Sequence, residues 1–259
     1  MQLEHITPLI LTYNEAPNID RTLQRLSWAN RIVVIDSLST DATLEILSHY
    51  PNVDTIKRPF DTHATQWNFG IAQVQTPWCL SLDADYLVSP GLVAELQQIQ
   101  PQDSLGGYFA PFRYCVFGKP LRGTILPPRQ VFFRTDRSTY IDDGHTQLLA
   151  VQGQSAHLSS PIDHDDRKSL QHWLWAQNRY AILEAQKLMA TPADELSLAD
   201  KIRKTKVLAP LVILVYCLVL KGGLLDGQRG WYYAWQRVLA EILLALRLIE
   251  HSTLEDHHF

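Results

Sequence analysis

The sequence predicts an α/β protein whose sheet is largely parallel. Four short apolar runs, at residues 6–11, 31–35, 53–56 and 78–82, begin 25, 22 and 25 residues apart. Segments with apolar residues at helical spacing lie between them. Strand, helix and strand at this interval imply right-handed crossovers and parallel pairing. In such sheets ligands bind beyond the carboxyl ends of the strands.

The helices between the first strands are indicated by spacing and by end signals. Residues 17–28 begin with a proline suited to a first helical turn and carry Ile19, Leu23 and Leu26 on one face. Residues 42–49 form the second predicted helix. The candidates for its N-cap are Ser39, Thr40 and Asp41.

The pattern changes after about residue 101. Aromatic-rich stretches at 107–117 and 129–135 predict further strands, and residues 169–190 predict a helix rich in Trp, Gln and Leu. Residues 207–220 are uncharged, and a last helix is predicted at 231–250. We therefore expect a first domain at residues 1–165 and a helical, apolar C-terminal extension at 166–259.

Composition narrows the possible functions. The chain has 259 residues, of which 46% are hydrophobic and 19% charged, as in a globular protein. Its net charge of −4 does not favour nucleic-acid binding. The three cysteines are far apart, so neither a disulfide framework nor a zinc site is expected. No basic stretch precedes the first apolar residues, as it would in a signal peptide.

Two aspartates, Asp83 and Asp85, follow the fourth apolar run. Two carboxylates so close repel unless a cation or a donor lies between them. A calcium loop would continue with further acidic residues and a glycine, which this chain lacks. A haloacid-type phosphatase would carry the pair on its first strand. The remaining interpretation is Mg²⁺ or Mn²⁺ bridging the carboxylates to nucleotide phosphates.

Other strand ends carry polar residues too, and four segments occur in order: LTYNEAPNI at 11–19, VVIDSLSTDAT at 33–43, QWNFG at 66–70 and LSLDADYL at 80–87. Together they resemble a family 2 glycosyltransferase with the GT-A fold, a Rossmann-like nucleotide-sugar-binding sheet. The group to which the chain is similar is the lipopolysaccharide-core β-1,4-glucosyltransferases. The motifs cover about residues 5–90, and the resemblance continues more loosely beyond them.

The resemblance implies a role for each strand end. Tyr13 would pack against the nucleotide base, and Asp36 would accept a hydrogen bond from its ring N–H. Asp83 would contact the ribose or the metal, and Asp85 would hold the metal against the diphosphate. Arg58, near the end of the third strand, would steady a phosphate. The structural alternatives are a core position for Tyr13, a turn cap for Asp36 and a solvated surface position for Arg58.

The chain departs from the family pattern at two positions. The family usually has glycine in DSGSTD where this chain has Leu38, so a turn with positive φ would be strained here. The family often has DADE, and Tyr86 replaces that glutamate. The support of the metal by neighbouring side chains is therefore expected to differ.

An inverting transfer needs a general base for the acceptor hydroxyl. Related enzymes often have a His-Glu pair after the aromatic strands, but this chain reads YIDDGHTQLL, with Thr146 in place of the Glu. We expect Asp143 to be the base, with His145 as the second candidate. The structural alternative for DDG is a turn.

The segment IDHDDRKSL at 162–170 supplies a further candidate ligand. His164 is predicted to be a third metal ligand that a closing loop brings over the aspartates. The alternative is a helix end capped by Asp165 or Asp166. Arg129, in PPRQVFFR, is a candidate contact for an anionic phosphate.

The predicted function is metal-assisted transfer of a sugar, with inversion, from a nucleotide-linked donor to a glycan or lipid-linked acceptor in cell-surface glycan synthesis. By analogy with the family, the nucleotide is UDP. One alternative is a sugar-nucleotide pyrophosphorylase, which usually opens with a Gly-rich basic loop that this chain lacks. The other is a non-catalytic, membrane-bound nucleotide-binding protein that retains the fold.

The stretch at 207–220 suggests contact with a membrane. It is shorter than the roughly twenty residues that span a bilayer, and four basic residues at 201–206 precede it. The helix after it keeps Gln236, Arg237 and Glu241 on one side, as a helix lying on a membrane surface would. We expect peripheral or monotopic attachment to the cytoplasmic face; a buried helix pair and a single span are the alternatives.

Overall fold

A computed structural model describes residues 1–143 and 146–257. The chain divides into two compact units. The first comprises Met1–Pro120 and Leu126–Arg167, and the second comprises Leu121–Ile125 and Lys168–Phe259. The predicted boundary, between residues 165 and 166, falls two residues before the end of the first unit.

The first unit is built on a seven-stranded mixed sheet. Its strands, with those of two smaller sheets, are β1 Ile6–Thr12, β2 Ile32–Asp36, β3 Val53–Lys57, β4 Trp78–Asp83, β5 Tyr86–Val88, β6 Leu105–Ala110, β7 Phe112–Val116, β8 Lys119–Pro120, β9 Arg129–Arg134, β10 Ser138–Asp143, β11 Thr146–Val151, β12 Gln154–His157 and β13 Ile162–His164. The large sheet has the order β12-β6-β9-β4-β1-β2-β3. Strands β1 to β4 are parallel, as predicted, and β9 is antiparallel to both of its neighbours. The α/β class is confirmed.

Strand register brings the predicted site residues to one edge of this sheet. Thr12 at the end of β1 lies opposite Asp36 at the end of β2, and Leu11 lies opposite Asp83 at the end of β4. Asp36 also pairs with Lys57 of β3. The carboxyl ends of four parallel strands therefore converge, as the sequence predicted.

Four helices cover the sheet: α1 Ile19–Gln24, α2 Thr43–Ser48, α3 His63–Ile71 and α4 Pro90–Gln98. The helix predicted at 17–28 is shorter at both ends. Asn18 N–H bonds to Glu15 O in a turn before it, and Leu26 N–H bonds to Leu23 O in a tighter turn after it. The segment QWNFG lies on α3, which the sequence did not predict as a helix.

Both faces of the large sheet are buried. One face packs with Ile19 and Leu23 of α1 and with Leu26 in the turn after it. The other face packs with α3 through Ala64 and Trp67. Burial on two faces explains the nearly continuous apolar runs of β1, β2 and β4. Gly70 permits the close approach of α3, because a Cβ there would lie 2.7 Å from Leu9 Cδ1.

The second unit is helical, and the predicted helical C-terminal part is confirmed. It contains α5 Leu170–Ala190, α6 Leu198–Lys204, α7 Leu208–Val215, a π-helical segment Tyr216–Leu220, a 3-10 turn Gly223–Asp226 and α8 Gln228–His257. Ser169 and Ser197 cap α5 and α6. Within the described ranges, none of the helices combines the length and the apolar character that a bilayer crossing requires.

Candidate nucleotide and metal site

The turn with the two aspartates is held from both sides. Asp83 ends β4, Ala84 is buried, and Asp85 precedes β5. Thr22 Oγ1 donates to Ala84 O at 2.6 Å, and Asp165 N–H donates to Asp85 O at 3.0 Å. The backbone of the turn is therefore fixed.

His164 lies against this turn. It ends β13, which pairs with β5, and its Nε2 is 3.0 Å from Asp85 Oδ2. The expectation that a closing loop would deliver His164 is wrong, since backbone pairing with Tyr86 and Tyr114 already holds it there. Both tyrosine rings pack edge-on against the imidazole, at centroid distances of 5.3 and 5.1 Å.

The carboxylates around His164 raise its pKa. Burial lowers its pKa, but the carboxylates of Asp85, Asp83 and Asp166 outweigh that effect, so the pKa is raised. Its Nδ1 is buried and has no hydrogen-bond partner in the described part of the chain. The imidazole is therefore fixed by its contact with Asp85 and by ring packing.

Tyr86 occupies the position where the resembling family has glutamate. Its side chain is buried, and its hydroxyl accepts a hydrogen bond from Arg129 Nη1 at 2.7 Å. Burial, and then the charge of Asp83, raise the pKa of Tyr86 well above its usual value. A neutral phenol therefore lies between the aspartates and a guanidinium, and Arg129 is brought next to the acidic pair.

The carboxylate–imidazole pair has the chemistry of a partial Mg²⁺ or Mn²⁺ site. Among residues 1–143 and 146–257, no three or more His, Cys, Asp and Glu side chains are grouped so as to hold a metal ion. Mg²⁺, however, is usually held by one or two carboxylates together with substrate phosphates. Asp85 and His164 are the residues that could hold such an ion together with substrate phosphates, and metal binding stays a prediction.

The residues predicted to contact the nucleotide lie at neighbouring strand ends. Tyr13 is 55% exposed just after β1, so the alternative that it is a core residue is wrong. Asp36 is fully buried and caps the turn after β2. Its carboxylate accepts hydrogen bonds from Thr12 Oγ1 at 2.9 Å, from Ser39 Oγ at 2.5 Å and from Ser39 N–H at 2.9 Å. Its predicted contact with the base stays a prediction.

The loops after β1 and β2 are bonded to each other. Asn14 N–H donates to Ser39 Oγ at 2.9 Å, and Thr40 N–H donates to Asn14 Oδ1 at 2.8 Å. Asp41 accepts from Ala16 N–H at 3.1 Å and from Thr43 N–H at 3.0 Å in the first turn of α2. Burial opposes ionisation of Asp41, but these hydrogen bonds prevail and lower its pKa. The loop after β1, which carries Tyr13, is thus held by the loop after β2.

Leu38 has φ of +65°, so this turn does need the left-handed conformation that glycine would supply. Its side chain is about half exposed and contributes little packing. The Cβ penalty of about 1–2 kcal/mol exceeds the entropic cost of glycine, about 0.5–1 kcal/mol. We expect Leu38→Gly to raise the free energy of unfolding by roughly 0.5 kcal/mol.

Urea unfolding of Leu38→Gly and Leu38→Ala provides the measurement and its control. Alanine removes the same side chain but retains Cβ, so Leu38→Ala should not be stabilised. If Leu38→Gly were less stable than Leu38→Ala by the entropic cost of glycine, about 0.5–1 kcal/mol, the backbone conformation would carry no strain.

The guanidinium of Arg58 is hydrogen-bonded to other side chains of the first unit. Its guanidinium forms two hydrogen bonds with Asp61, at 2.8 and 3.1 Å, and also bonds to Gln66 Oε1. The hydrogen bond with Asp61 raises the pKa of Arg58. Gln66 is fully buried and donates to Ser37 Oγ at 3.0 Å, which joins α3 to the end of β2. A phosphate contact by Arg58 stays a prediction.

The first candidate base, Asp143, belongs to the paired strands β10 and β11, which α3 positions. Asn68 bonds to both the N–H and the C=O of Tyr140, at 2.8 Å each, and Trp67 stacks on the Tyr140 ring at 5.3 Å. The Asp142 carboxylate accepts from Ala64 N–H at 3.3 Å, at the start of α3. Asp143 is the last residue of β10. His145 lies outside the described residues.

The acidic residues after His164 do not cap the following helix, because Ser169 does so. The buried carboxylate of Asp165 accepts hydrogen bonds from Arg21 Nη1 at 2.6 Å and from Arg167 Nε at 2.9 Å. Asp166 accepts from Asn18 Nδ2 at 2.9 Å. The capping alternative is therefore wrong, and these contacts fix the segment after β13 to the start of α1.

Asn18 and Arg21 were not singled out from the sequence. Arg21 Nη2 also donates to Asn18 Oδ1 at 2.9 Å, and Arg167 N–H donates to the same oxygen at 2.8 Å. The sequence signal that could have identified them is their spacing of three residues at the start of a helix, which places both side chains on one helix face. Their acceptors more than 140 positions away gave no sequence signal.

Comparison with known proteins yields glycosyltransferases. The chain is 29% identical over 106 residues to an uncharacterized glycosyltransferase of Rickettsia bellii, which is 40% of this chain and 36% of that protein. It is 29% identical over 84 residues to the lipopolysaccharide core biosynthesis glycosyltransferase LpsC of Rhizobium meliloti, 31% of each chain. The matched part thus spans only about a third of each of these relatives.

Solved structures were compared as well. The chain is similar to residues 1–349 of S. aureus TarS in complex with UDP-GlcNAc, with 14% identity and a TM-score of 0.49 over 97% of this chain and 92% of that one. It is also similar to glucosyl-3-phosphoglycerate synthase of Mycobacterium tuberculosis in complex with Mn²⁺, UDP-glucose and phosphoglyceric acid. That match has 16% identity and a TM-score of 0.36 over 42% and 43% of the two chains.

The model of one family, Glycosyl transferase family 2, matches residues 9–147. That range contains the four strand ends, the acidic turn, β10 and the start of β11, and it is more than half of the chain. The predicted fold class, a GT-A sheet followed by a helical C-terminal part, is confirmed. The chain belongs to glycosyl transferase family 2.

Proposed function

We propose that this protein transfers a sugar, with inversion, from a UDP-linked donor to an acceptor glycan carried on a lipid, with Mg²⁺ or Mn²⁺ as cofactor. Family membership supports sugar transfer, and the name of the Rhizobium relative supports lipopolysaccharide core as the acceptor class. The observation that carries the proposal is the Asp85–His164 pair, 3.0 Å apart, beside Asp83 at the carboxyl ends of parallel strands. The donor is proposed to bind on the cytosolic side of a membrane.

Each residue of the proposed site has a physical task. Asp85 and His164 hold the cation, which when bound offsets the charge that develops on the departing diphosphate. Tyr13 offers an exposed ring on which the base stacks, and Asp36 keeps the neighbouring loop in place through Ser39. Arg129 lies close enough to the acidic turn to meet a phosphate oxygen.

The general base in this proposal is Asp143. Its carboxylate takes the proton of the acceptor hydroxyl while that oxygen attacks the anomeric carbon, and the bond to the diphosphate breaks on the opposite face. The electron pair of that bond leaves with the diphosphate, so configuration inverts. His145 is the second candidate for the same proton transfer.

The test of this function is a panel of nucleotide sugars with and without Mn²⁺. A UDP-sugar at 100 times its Kd should stabilise the folded protein by about 2.7 kcal/mol, and stabilisation should require the cation. Slow release of UDP into water, measured by chromatography, should accompany binding. Stabilisation without any release, even after addition of lipopolysaccharide core, would identify a non-catalytic binding protein instead.

The pH dependence of that stabilisation follows from His164. Its pKa is raised by nearby carboxylates, so the imidazole stays protonated at a higher pH than an ordinary histidine. A metal ligand must be neutral, so a proton and Mn²⁺ compete for it. Stabilisation by Mn²⁺ and UDP should therefore increase from pH 6 to pH 8. His164→Asn should lose this increase, and an increase that persists in the variant would exclude His164 as a ligand.

A further inference from the structure

Helix α8 in the second unit buries part of its polar side together with apolar residues such as Leu244 and Leu248. Glu241 bonds to Arg203 of α6, with Nη2–Oε1 at 3.0 Å, and Gln236 is 91% buried. The sequence led us to expect Gln236, Arg237 and Glu241 together on one polar side of this helix, and the structure places Gln236 and Glu241 against the rest of the unit. The apolar residues on the opposite side of the helix are exposed: Trp231, Trp235, Ile242, Leu246 and Ile249.

The inward polar groups of α8 have partners in other helices of the same unit. Arg203 also contacts Glu184 of α5 at 3.4 Å. Arg237 bonds to Gln177 at 3.3 Å, and Arg247 bonds to Asn178 at 2.9 Å. These polar contacts join α8 to α5 and α6 within the unit.

The segment before α8 exposes an even more apolar surface. Helix α7 packs against α8, and it and the residues around it expose Val207, Leu208, Leu211, Val212, Val215, Val219, Leu220, Leu224 and Leu225. Each of these side chains is between 47% and 71% exposed. We call these residues, with the five exposed on α8, the outer apolar surface.

The second unit therefore has a buried apolar cluster, which includes Leu244 and Leu248, and in addition the outer apolar surface. Single exposed apolar residues are common, but large exposed apolar patches mark a site of contact with a partner or a membrane. Polar groups paired internally with apolar groups outside suit a hydrocarbon environment, where no water is available to satisfy polar atoms. The outer apolar surface therefore needs an apolar partner.

The charge of the second unit favours a lipid bilayer over an apolar protein surface as the partner. The second unit carries 12 Lys and Arg and 9 Asp and Glu, a net charge of +3, although the whole chain is at −4. Lys201 and Lys204 lie in α6, just before α7, and Lys221 follows the π-helical segment. Trp231 and Trp235 stack at the start of α8, at a ring distance of 5.7 Å. Basic residues and tryptophans flanking an apolar surface are typical of contact with anionic lipid headgroups.

We propose that the outer apolar surface docks on the surface of an anionic bilayer, so that the second unit is a monotopic membrane anchor. Helices α7 and α8 lie in the plane of the interface, with their exposed apolar side chains among the acyl chains. The lysines of α6 and Lys221 contact the headgroups. This inference rests on the second unit alone and does not depend on the proposed transfer reaction.

The test is sedimentation of the full-length protein with vesicles of phosphatidylcholine, with and without phosphatidylglycerol. Wild type should pellet with both, and more strongly with the anionic vesicles. Leu211→Gln with Val215→Gln, and separately Trp231→Gln with Trp235→Gln, should each lower the partition coefficient by about tenfold or more, since each removes exposed apolar groups that would be buried in lipid. Because the side chains are exposed, thermal melting should be unchanged.

A matched control replaces an equally exposed leucine in the first unit. Leu148→Gln, at a side chain 59% exposed, should bind vesicles like wild type. Lys201→Glu with Lys204→Glu should lower binding about tenfold or more on anionic vesicles and leave binding to neutral vesicles unchanged. A protein that stays in the supernatant with both vesicle types would overturn the proposal. So would a stable dimer that the Leu211→Gln and Val215→Gln pair dissociates without altered vesicle binding.

Discussion

Asp85→Asn should abolish the effect of Mn²⁺ on UDP binding and lower turnover by about a hundredfold or more, a typical loss when charge stabilisation of a transition state is removed. Asparagine retains an oxygen that can accept a hydrogen bond from His164 Nε2, so the packing around the turn should persist. What the substitution removes is the negative charge that attracts the cation. Calorimetric titration with UDP, in the presence and absence of Mn²⁺, measures this directly.

The control for Asp85→Asn is Asp54→Asn. The Asp54 carboxylate forms an ion pair with Arg31 at 2.5 Å on the surface. Asp54 lies near the start of β3, away from the carboxyl ends of the strands. Exposed pairs contribute only about 0–1 kcal/mol, so this variant should bind UDP and Mn²⁺ like wild type. If Asp85→Asn also kept the Mn²⁺-dependent gain in UDP affinity, the assignment of the acidic turn to the metal would be wrong.

Asp143→Asn should leave UDP and Mn²⁺ binding intact and lower turnover by about 10² or more, the usual contribution of a general base. An amide cannot take the proton of the acceptor hydroxyl, but it has the size of the carboxylate. Steady-state turnover with donor and acceptor, together with calorimetry of UDP, separates a loss of chemistry from a loss of binding.

The neighbouring residue supplies the matched comparison. Asp142 accepts hydrogen bonds at the start of α3, so Asp142→Asn removes a charge from a helix N-terminus. That should cost about 0.3–1 kcal/mol of stability and leave turnover nearly unchanged. Full activity of Asp143→Asn with loss of activity in His145→Ala would assign the base to His145. Full activity in both variants would exclude the hairpin as its source.

Much of the first unit could be predicted because its strands are parallel and buried on both faces. Such strands give continuous apolar runs at a regular interval, and their carboxyl ends must meet at one edge. The sequence alone therefore indicated β1 to β4, and it brought Tyr13, Asp36 and Asp83 to a common edge. Leu38 also stood out, because a leucine in a glycine position of the turn predicts strain if φ is positive, and φ is +65°.

The position of His164 could not be derived in the same way. Its contact with Asp85 depends on pairing of β13 with β5, two strands separated by more than 70 residues. The same holds for Arg129, which reaches Tyr86 across the site. Pairing between strands so far apart in the sequence follows from packing of the whole unit and produces no periodic pattern in the sequence.

The C-terminal helices show most clearly which features follow from the sequence alone and which depend on the tertiary structure. The spacing of Trp235, Ile242 and Leu246 determined that α8 has one apolar side and one polar side. It did not determine which side faces inward, because a helix with two distinct sides has the same sequence pattern in either orientation. The tertiary structure decided this: Leu244 and Leu248 are buried in the unit, where Glu241 also pairs with Arg203. Trp235, Ile242 and Leu246 lie outside.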